Sequence, residues 1–166
     1  GGASSSASGG GLTYVYSGAH LYPSDCSGDE ITARFYSTTA GDAAGYSLGF
    51  MDSDGDGVDE IVIGAPDSDL GAGANSGAVY LMSAPSDGDS IELGTGMLSF
   101  AGESYYDRMG WDVAGNGDIN GDGYEDLFIS AELDDDGGLN AGATDLWLGP
   151  LTIAETALNP SDADAK

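Results

Sequence analysis

The sequence predicts an all-β protein, and three observations lead to that prediction. Short runs rich in valine, isoleucine, leucine and tyrosine alternate with clusters of glycine, aspartate and asparagine. Such runs are typical of strands, and such clusters are typical of tight turns. No stretch keeps apolar residues at helical spacing over three turns, and one Asp-rich segment with its flanks occurs twice. We therefore expect a β-repeat protein with little helix.

Nine strands of four to six residues are predicted from these runs. They are Leu12–Tyr16, Ile31–Tyr36, Tyr46–Phe50, Glu60–Ile63, Ala78–Met82, Met97–Phe100, Trp111–Ala114, Asp126–Ser130 and Thr144–Leu148.

The charge of the chain limits its partners. Its 166 residues include 29 Asp and Glu but only 3 Lys and Arg, for a formal net charge of -26. Such acidity excludes nucleic acid and anionic membrane surfaces, and it points to cations instead. The 40% hydrophobic content favours a folded chain over a disordered one. No apolar run approaches about 18 residues, so no membrane insertion is expected.

The chain divides into three parts on composition. Residues 1–11 contain mainly Gly, Ser and Ala, which is typical of a flexible arm. Residues 12–153 are predicted to form the repeat domain, with repeats at about 33–84 and 98–150, and residues 154–166 are read as an acidic tail. Cys26 is the single cysteine, so it cannot form an internal disulfide.

Two Asp-rich loops carry the clearest chemical signal. They begin at Asp52 and Asp118, 66 residues apart. Oxygen donors recur at alternate positions, and Gly57 and Gly123 at the sixth position permit a sharp turn. The seventh position would contribute a backbone carbonyl and the ninth a carboxylate. The predicted ligands are Asp52, Asp54, Asp56, Val58 and Glu60 in the first loop, and Asp118, Asn120, Asp122, Tyr124 and Asp126 in the second.

The donor set favours calcium. All the ligands are oxygens, which excludes the soft-ligand chemistry of zinc or copper, and the many carboxylates favour calcium over magnesium. An EF-hand shares the initial spacing but needs a glutamate at position 12. Here that position is Ile63 or Ile129, inside an apolar run. The loops are therefore expected to lead into strands and to bind at least two Ca²⁺ per chain.

At these residues the chain resembles the FG-GAP repeat of integrin alpha subunits and bacterial surface proteins. Gly45-Tyr-Ser-Leu precedes the first loop, and the Gly-Ala-Pro element that ends at Pro66 follows it. The second copy has Met109-Gly-Trp-Asp-Val before its loop and Ser130-Ala-Glu132 after it. The resemblance implies four-stranded β-propeller blades: two FG-GAP blades plus a partial third that begins at Leu12. Since about three repeats are needed for stability, we expect completion by other subunits, with Leu12–Tyr16 as a candidate for strand exchange.

A second acidic set follows the loops, and two interpretations of it stay open. Extra calcium sites would relieve charge repulsion, whereas a solvated acidic face needs no ion. The possible additional ligands are Asp42, Asp67, Asp69, Asp107, Asp134, Asp135 and Asp136.

No catalytic residues are assigned, and we expect a non-enzymatic protein. His20, the single histidine, has no nucleophile or metal partner at a suggestive spacing. Trp111 and Trp147 are expected to lie in the core rather than to stack on a ligand. For an extracellular, secreted or cell-surface protein, we expect a calcium-binding structural role, with self-assembly into a filament or ring and copies of itself as partners. The alternative is an integrin-like adhesion module that binds matrix or glycan.

Overall fold

The structure, a computed structural model, describes residues 10–16, 31–153 and 156–166. These residues form strands and one short 3-10 turn at Pro160–Asp162, without an α-helix. His20, Cys26 and most of the predicted arm lie outside the described residues. The strands are β1 (Leu12–Tyr16), β2 (Ile31–Tyr36), β3 (Ser47–Met51), β4 (Glu60–Ala65), β5 (Ala78–Met82), β6 (Asp89–Glu92), β7 (Leu98–Ala101), β8 (Met109–Gly117), β9 (Asp126–Ala131), β10 (Ala143–Trp147) and β11 (Thr156–Leu158).

Three strands of the first repeat and the first strand of the second form a complete antiparallel blade. Strands β3, β4, β5 and β7 lie side by side in that order. The register pairs Leu48 with Ile63, and Ile63 in turn with Tyr80. Every residue of β4 and β5 is buried, which explains their continuous apolar sequence. The four strands therefore have the architecture expected of one propeller blade.

The second repeat and the N-terminal part form smaller sheets. Strands β8, β9 and β10 make an antiparallel sheet in which β8 carries two irregularities, after Met109 and after Ala114. Strand β1 pairs antiparallel with β2, with Leu12 opposite Tyr36. None of these sheets closes on itself, and β1 lies at the edge of its sheet. The all-β class and the propeller-like blades predicted from sequence are confirmed.

Two parallel strands join each blade to the one before it. After β5 the chain returns to the preceding sheet, where β6 pairs parallel with β2. After β10 it does the same, and β11 pairs parallel with β7. We call these two strands the clasps. Neither was predicted, since β6 is polar and half-exposed and β11 has three residues.

The core consists of two apolar layers on either side of the first blade. One layer lies between the first blade and the N-terminal sheet and contains Phe35, Ile61 and Ile63. The other lies between the two repeats and contains Val62, Leu127 and Trp147. Successive residues of a strand point to opposite faces, so Ile61 and Val62 of β4 enter different layers. Each blade thus stabilises its neighbours by sharing an apolar surface with them.

The segment predicted to be an acidic tail contains the clasp β11 and continues along the second repeat. The amide of Leu146 in β10 donates a hydrogen bond to the carbonyl of Ala165 at 2.8 Å, and the amide of Asp164 donates to the carbonyl of Leu146 at 2.9 Å. Residues 164–165 therefore cover part of the outer edge of β10. The domain boundaries assigned from sequence stay a prediction.

Candidate metal centre

Both Asp-rich loops lead directly into a buried strand, as predicted. The first precedes β4 and the second precedes β9. Gly57 and Gly123 have φ angles of 85° and 96°, a left-handed conformation that glycine adopts without strain. The turn at position 6 therefore forms in both loops as its sequence requires.

The first residue of each loop organises the turn. The two carboxylate oxygens of Asp52 accept hydrogen bonds from the amides of Gly55 at 2.8 Å and Gly57 at 3.0 Å. Asp118 accepts the equivalent bonds from Gly121 at 2.6 Å and Gly123 at 2.9 Å. Because one carboxylate holds two turn amides, the backbone curls around it.

The middle positions repeat the same pattern. The amide of Asp56 donates to Asp54 Oδ1 at 3.1 Å, and the amide of Val58 donates to Asp56 Oδ1 at 2.8 Å. In the second loop Asn120 Oδ1 and Asp122 Oδ1 each accept a bond of 3.0 Å, from the amides of Asp122 and Tyr124. The two loops therefore share one fold although their sequences differ at the third position.

The ninth residue closes each loop from beneath. Glu60 is 4% exposed, and its Oε2 accepts hydrogen bonds from the amide of Ser53 at 2.9 Å and from its hydroxyl at 2.7 Å. Asp126 is buried in the same way and accepts from the amide of Ile119 at 2.6 Å. A buried carboxylate thus lies under each turn, at the start of the strand.

The structure brings three carboxylates of the first loop to one point. One oxygen from each of Asp52, Asp54 and Glu60 lies within 4.8 Å of the others. Calcium binds oxygens at about 2.3 to 2.6 Å, so two of its ligands are at most about 5 Å apart. The group therefore fits one ion. Asp56 is not part of the group, and in the second loop the amide of Asn120 replaces the carboxylate of Asp54.

The first loop also contacts the second repeat. The amide of Asp52 donates to Glu125 Oε2 at 2.8 Å, and the amide of Leu151 donates to the Ser53 carbonyl at 3.0 Å. The Tyr124 ring lies beside Gly55. Order in the first loop is therefore linked to contact between the repeats.

The additional acidic candidates separate into different roles. Asp67 and Glu132 are bridged by Arg108, at 2.7 and 2.6 Å, so this guanidinium ties the two repeats together. Asp69 and Asp135 accept hydrogen bonds from the amides of Asn75 and Asn140, at 2.8 and 2.6 Å. The other four of the seven candidates have different surroundings.

Of these four, Asp42 accepts a hydrogen bond of 2.7 Å from the hydroxyl of Ser37. Asp107 and Asp134 form a second convergent group with Glu103, which the sequence analysis did not single out. Asp136 lies beside this group and contacts Lys166 at 2.8 Å. The assignment of ligands to both loops and to the additional sites stays a prediction.

The two tryptophans differ in environment. Trp147 is 2% exposed and packs edge-on against Phe100 at a centroid distance of 4.7 Å, so its predicted core position is confirmed. Trp111 is half-buried, stacks on Tyr46 at 4.5 Å and has the Arg108 guanidinium 4.7 Å above its ring. Trp111 therefore belongs to the junction between repeats rather than to the core.

Antiparallel sheets in which an Asp-rich loop joins two adjacent strands define a protein of the β-propeller-repeat class. The sequence model of the FG-GAP repeat matches residues 44–82, which span the first loop from before β3 to the end of β5. The predicted resemblance is confirmed: the chain is similar to the FG-GAP repeat and to integrin alpha subunits.

Three integrin alpha subunits illustrate the relationship. The chain is 36% identical over 100 residues to integrin alpha-PS2 of Drosophila melanogaster, across 57% of its length and 7% of that protein. It is 34% identical over 94 residues to integrin alpha-IIb of Mus musculus, across 52% of its length and 9% of that protein. It is 35% identical over 106 residues to integrin alpha-V of Gallus gallus, across 63% of its length and 9% of that protein.

The chain thus spans less than a tenth of the length of these curated relatives. The relationship confirms the expected extracellular or cell-surface location. Within the described part of the chain, no helix has the length and apolar character needed to cross a bilayer.

Proposed function

We propose that the chain is a calcium-stabilised blade module of an extracellular adhesion or ligand-binding protein. The observation that carries the calcium assignment is the convergence of Asp52, Asp54 and Glu60 within 4.8 Å. Three carboxylates held this close repel one another unless a cation lies between them. The shared hydrogen-bond pattern extends the proposal to the second loop, with Asp118, Asn120, Asp122 and Asp126 as its side-chain ligands.

Calcium would act on the contact between the repeats. The first loop holds Glu125 and Leu151 of the second repeat through backbone hydrogen bonds. An ion that orders this loop therefore also stabilises the junction. At a free concentration 100 times the Kd, each site would add about 2.7 kcal/mol to the free energy of unfolding. The ions would thus join neighbouring blades.

The integrin alpha relatives support adhesion or ligand binding over the purely structural function. Matrix protein or glycan are the partners we propose, through loops at the ends of the strands. The absence of catalysis stays a prediction.

A thermal melt in calcium and in EGTA tests the calcium proposal. The wild-type melting temperature should fall in EGTA, and Glu60→Gln should reduce this difference because it removes one of the converging charges. Asp59→Asn is the matched control, since it neutralises the exposed neighbouring residue outside the group. An unchanged wild-type melt would contradict the proposal, as would an equal effect of the two variants.

Self-association through strand edges is a second candidate function. The observation in its favour is that β1 lies at a sheet edge with Leu12, Tyr14 and Tyr16 at least 36% exposed. An exposed edge strand with apolar side chains is a template for pairing with another chain. The neighbour would be a second copy or a further blade of a longer polypeptide.

Sedimentation velocity at rising protein concentration tests this second candidate. Concentration-dependent association that Tyr14→Lys abolishes would support pairing through β1, because a charged residue blocks an edge. A monomer at every concentration, with and without calcium, would contradict it.

A further inference from the structure

A second group of converging carboxylates, which we call the cage, lies in the second repeat, away from both loops. One oxygen from each of Glu103, Asp107 and Asp134 lies within 4.8 Å of the others. Asp107 is 3% exposed and Asp134 is 2% exposed. Two of the three converging carboxylates are thus shielded from water. Burying negative charges this close together costs free energy unless a positive charge is present.

A cation already approaches this cage from within the chain. The ammonium of Lys166 lies 2.8 Å from Asp134 Oδ2 and from Asp136 Oδ2, and it also contacts Glu103. Lys166 is the single lysine of the sequence. The cage therefore has the charge and the shape to hold a small cation, and one ammonium opposes four nearby carboxylates.

Asp145 provides independent evidence that the negative charge of the cage is not fully neutralised. Its side chain is 98% buried, and its Oδ1 has no hydrogen-bond partner among the described residues. The pKa of Asp145 is raised to about 6: burial is the largest cause, Lys166 opposes the rise, and Glu103 and Asp134 add to it. These interactions mean that Asp145 lies near the carboxylates of the cage and Lys166. A buried carboxylate oxygen without a hydrogen-bond partner is rare in folded proteins, and a bound cation is one explanation for it.

The equivalent positions of the first repeat do not form a carboxylate cage. The carbonyl of Ala65 accepts from the amide of Ser68, as that of Ala131 does from Asp134, so Ser68 and Asp134 are equivalent. The other equivalent positions are Thr38 for Glu103, Asp42 for Asp107, Leu70 for Asp136 and Tyr80 for Asp145.

In the first repeat, hydroxyl groups form hydrogen bonds at the positions equivalent to the cage. Ser37 donates a hydrogen bond to Asp42, and Tyr80 is hydrogen-bonded to Ser68. One carboxylate, that of Asp42, thus stands where the second repeat has five. The acidity of the cage is therefore a property of the second repeat and not of the blade architecture.

We propose that Glu103, Asp107 and Asp134 bind a divalent cation, with Asp145 behind them, in exchange for the ammonium of Lys166. Oxygen-only donors favour calcium. A divalent cation neutralises more of the negative charge of the cage than the single positive charge of Lys166 does. The exchange frees Lys166 and so loosens residues 164–165 from the edge of β10, where the amide of Leu146 binds Ala165. Calcium would thereby uncover a strand edge.

Equilibrium dialysis of the full chain with radioactive calcium tests the site. Glu103→Gln combined with Asp134→Asn should bind one ion fewer than wild type. Asp42→Asn, the matched change in the first repeat, should leave the count unchanged. Lys166→Ala removes the competing ammonium and should tighten binding at this site about tenfold. Equal counts in wild type and the double variant would overturn the proposal.

A spectroscopic readout separates this site from the two loops. Because Lys166 is the single lysine, ¹³Cε-lysine labelling gives one resonance from the side chain. During a calcium titration, this resonance should move to the position of a free lysine in wild type and in Glu60→Gln. The shift should be absent in the double cage variant. A resonance that stays fixed up to saturation would overturn the exchange even if both loops bind calcium.

Discussion

Single residues decide how closely the two repeats approach. Gly64 of β4 faces the second repeat, and a side chain there would clash with the hydroxyl of Ser47 and the carbonyl of Gly110. Ser47 itself donates a hydrogen bond to Gly110 across the junction at 2.9 Å. The glycine of the Gly-Ala-Pro element therefore has a steric role. Its counterpart Ser130 is bonded through its hydroxyl to the amide of Asp112 at 2.9 Å.

Gly64→Ala should destabilise the chain strongly. The added methyl group meets a backbone carbonyl that cannot move without shifting β8, so we expect a loss of about 3 kcal/mol in the free energy of unfolding. Urea denaturation measures it. Ser130→Ala is the control and should cost about 1 kcal/mol, since it removes only two exposed hydrogen bonds, both to the backbone of Asp112. Wild-type stability of Gly64→Ala would show that the junction is looser than described.

Asp42 makes stability depend on pH. Burial raises its pKa above 3.8, its neighbour Asp69 adds to the rise, and the Ser37 hydroxyl opposes it. As the pH rises from about 3.8 through the raised pKa, the folded chain therefore keeps the Asp42 proton longer than the unfolded chain does. The contribution of this group is fully present below about pH 3.8 and is lost as the pH rises through the raised pKa.

Asp42→Asn removes this titration and keeps an oxygen acceptor for Ser37. Its free energy of unfolding relative to wild type should therefore rise as the pH rises from about 3.8 towards neutrality. Urea titrations in EGTA at several pH values measure the difference. In a Ser37→Ala background the dependence should steepen, because the hydroxyl that lowers the pKa is gone. A difference that is constant with pH would refute the assignment.

At the scale of elements, the clasps were the least predictable part of the fold. Antiparallel strands such as β4 and β5 are apolar runs with turn residues between them, so local sequence predicts them. Strand β6 is half-exposed along its length and reads as a polar loop. Its hydrogen bonds depend on β2, which lies more than 50 residues earlier. Local pattern carries no information about such a partner.

Ile91 should anchor the first clasp. It is partly buried against the apolar layer beneath β2, and it pairs in register with Phe35. Ile91→Ala should lower stability by about 1 to 2 kcal/mol, below the value for a fully buried isoleucine. Hydrogen exchange should accelerate in β2 and β6 while β9 keeps its protection.

Ser90→Ala is the matched control for the clasp. Its side chain lies on the opposite face of β6 and accepts an exposed hydrogen bond of 2.8 Å from Arg34. We expect a change within about 0.5 kcal/mol. Faster exchange throughout the chain in Ile91→Ala would contradict a local role.

The same contrast between local and distant information holds for the candidate sites. The loops could be predicted from sequence because their candidate ligands lie within nine residues, and the glycine spacing fixes the turn. The cage could be predicted only in part. Asp107 and Asp134 were found by comparing the repeats, but Glu103 and Asp145 were not. One signal was available: Asp145 is a carboxylate at a strand position where the first repeat has Tyr80.

At the scale of the whole molecule, charge and architecture are linked. The chain carries a net charge of -26, yet its carboxylates are not spread evenly over the surface. Among the described residues, carboxylates converge in the first loop, in the cage within the second repeat, and on Arg108 between the two repeats. A cation in the first loop would therefore act on the packing of the two repeats, because that loop contacts Glu125 and Leu151.

The clasps also determine where such a chain can be cut. Because β6 completes the sheet that contains β2, and β11 does the same for β7, each of these two sheets depends on a strand more than 50 residues further along the chain. During synthesis on the ribosome, a sheet would be finished only after the next repeat has emerged. An expression fragment that ends at a repeat border would lack its outermost strand. Fragments should instead extend through the next clasp.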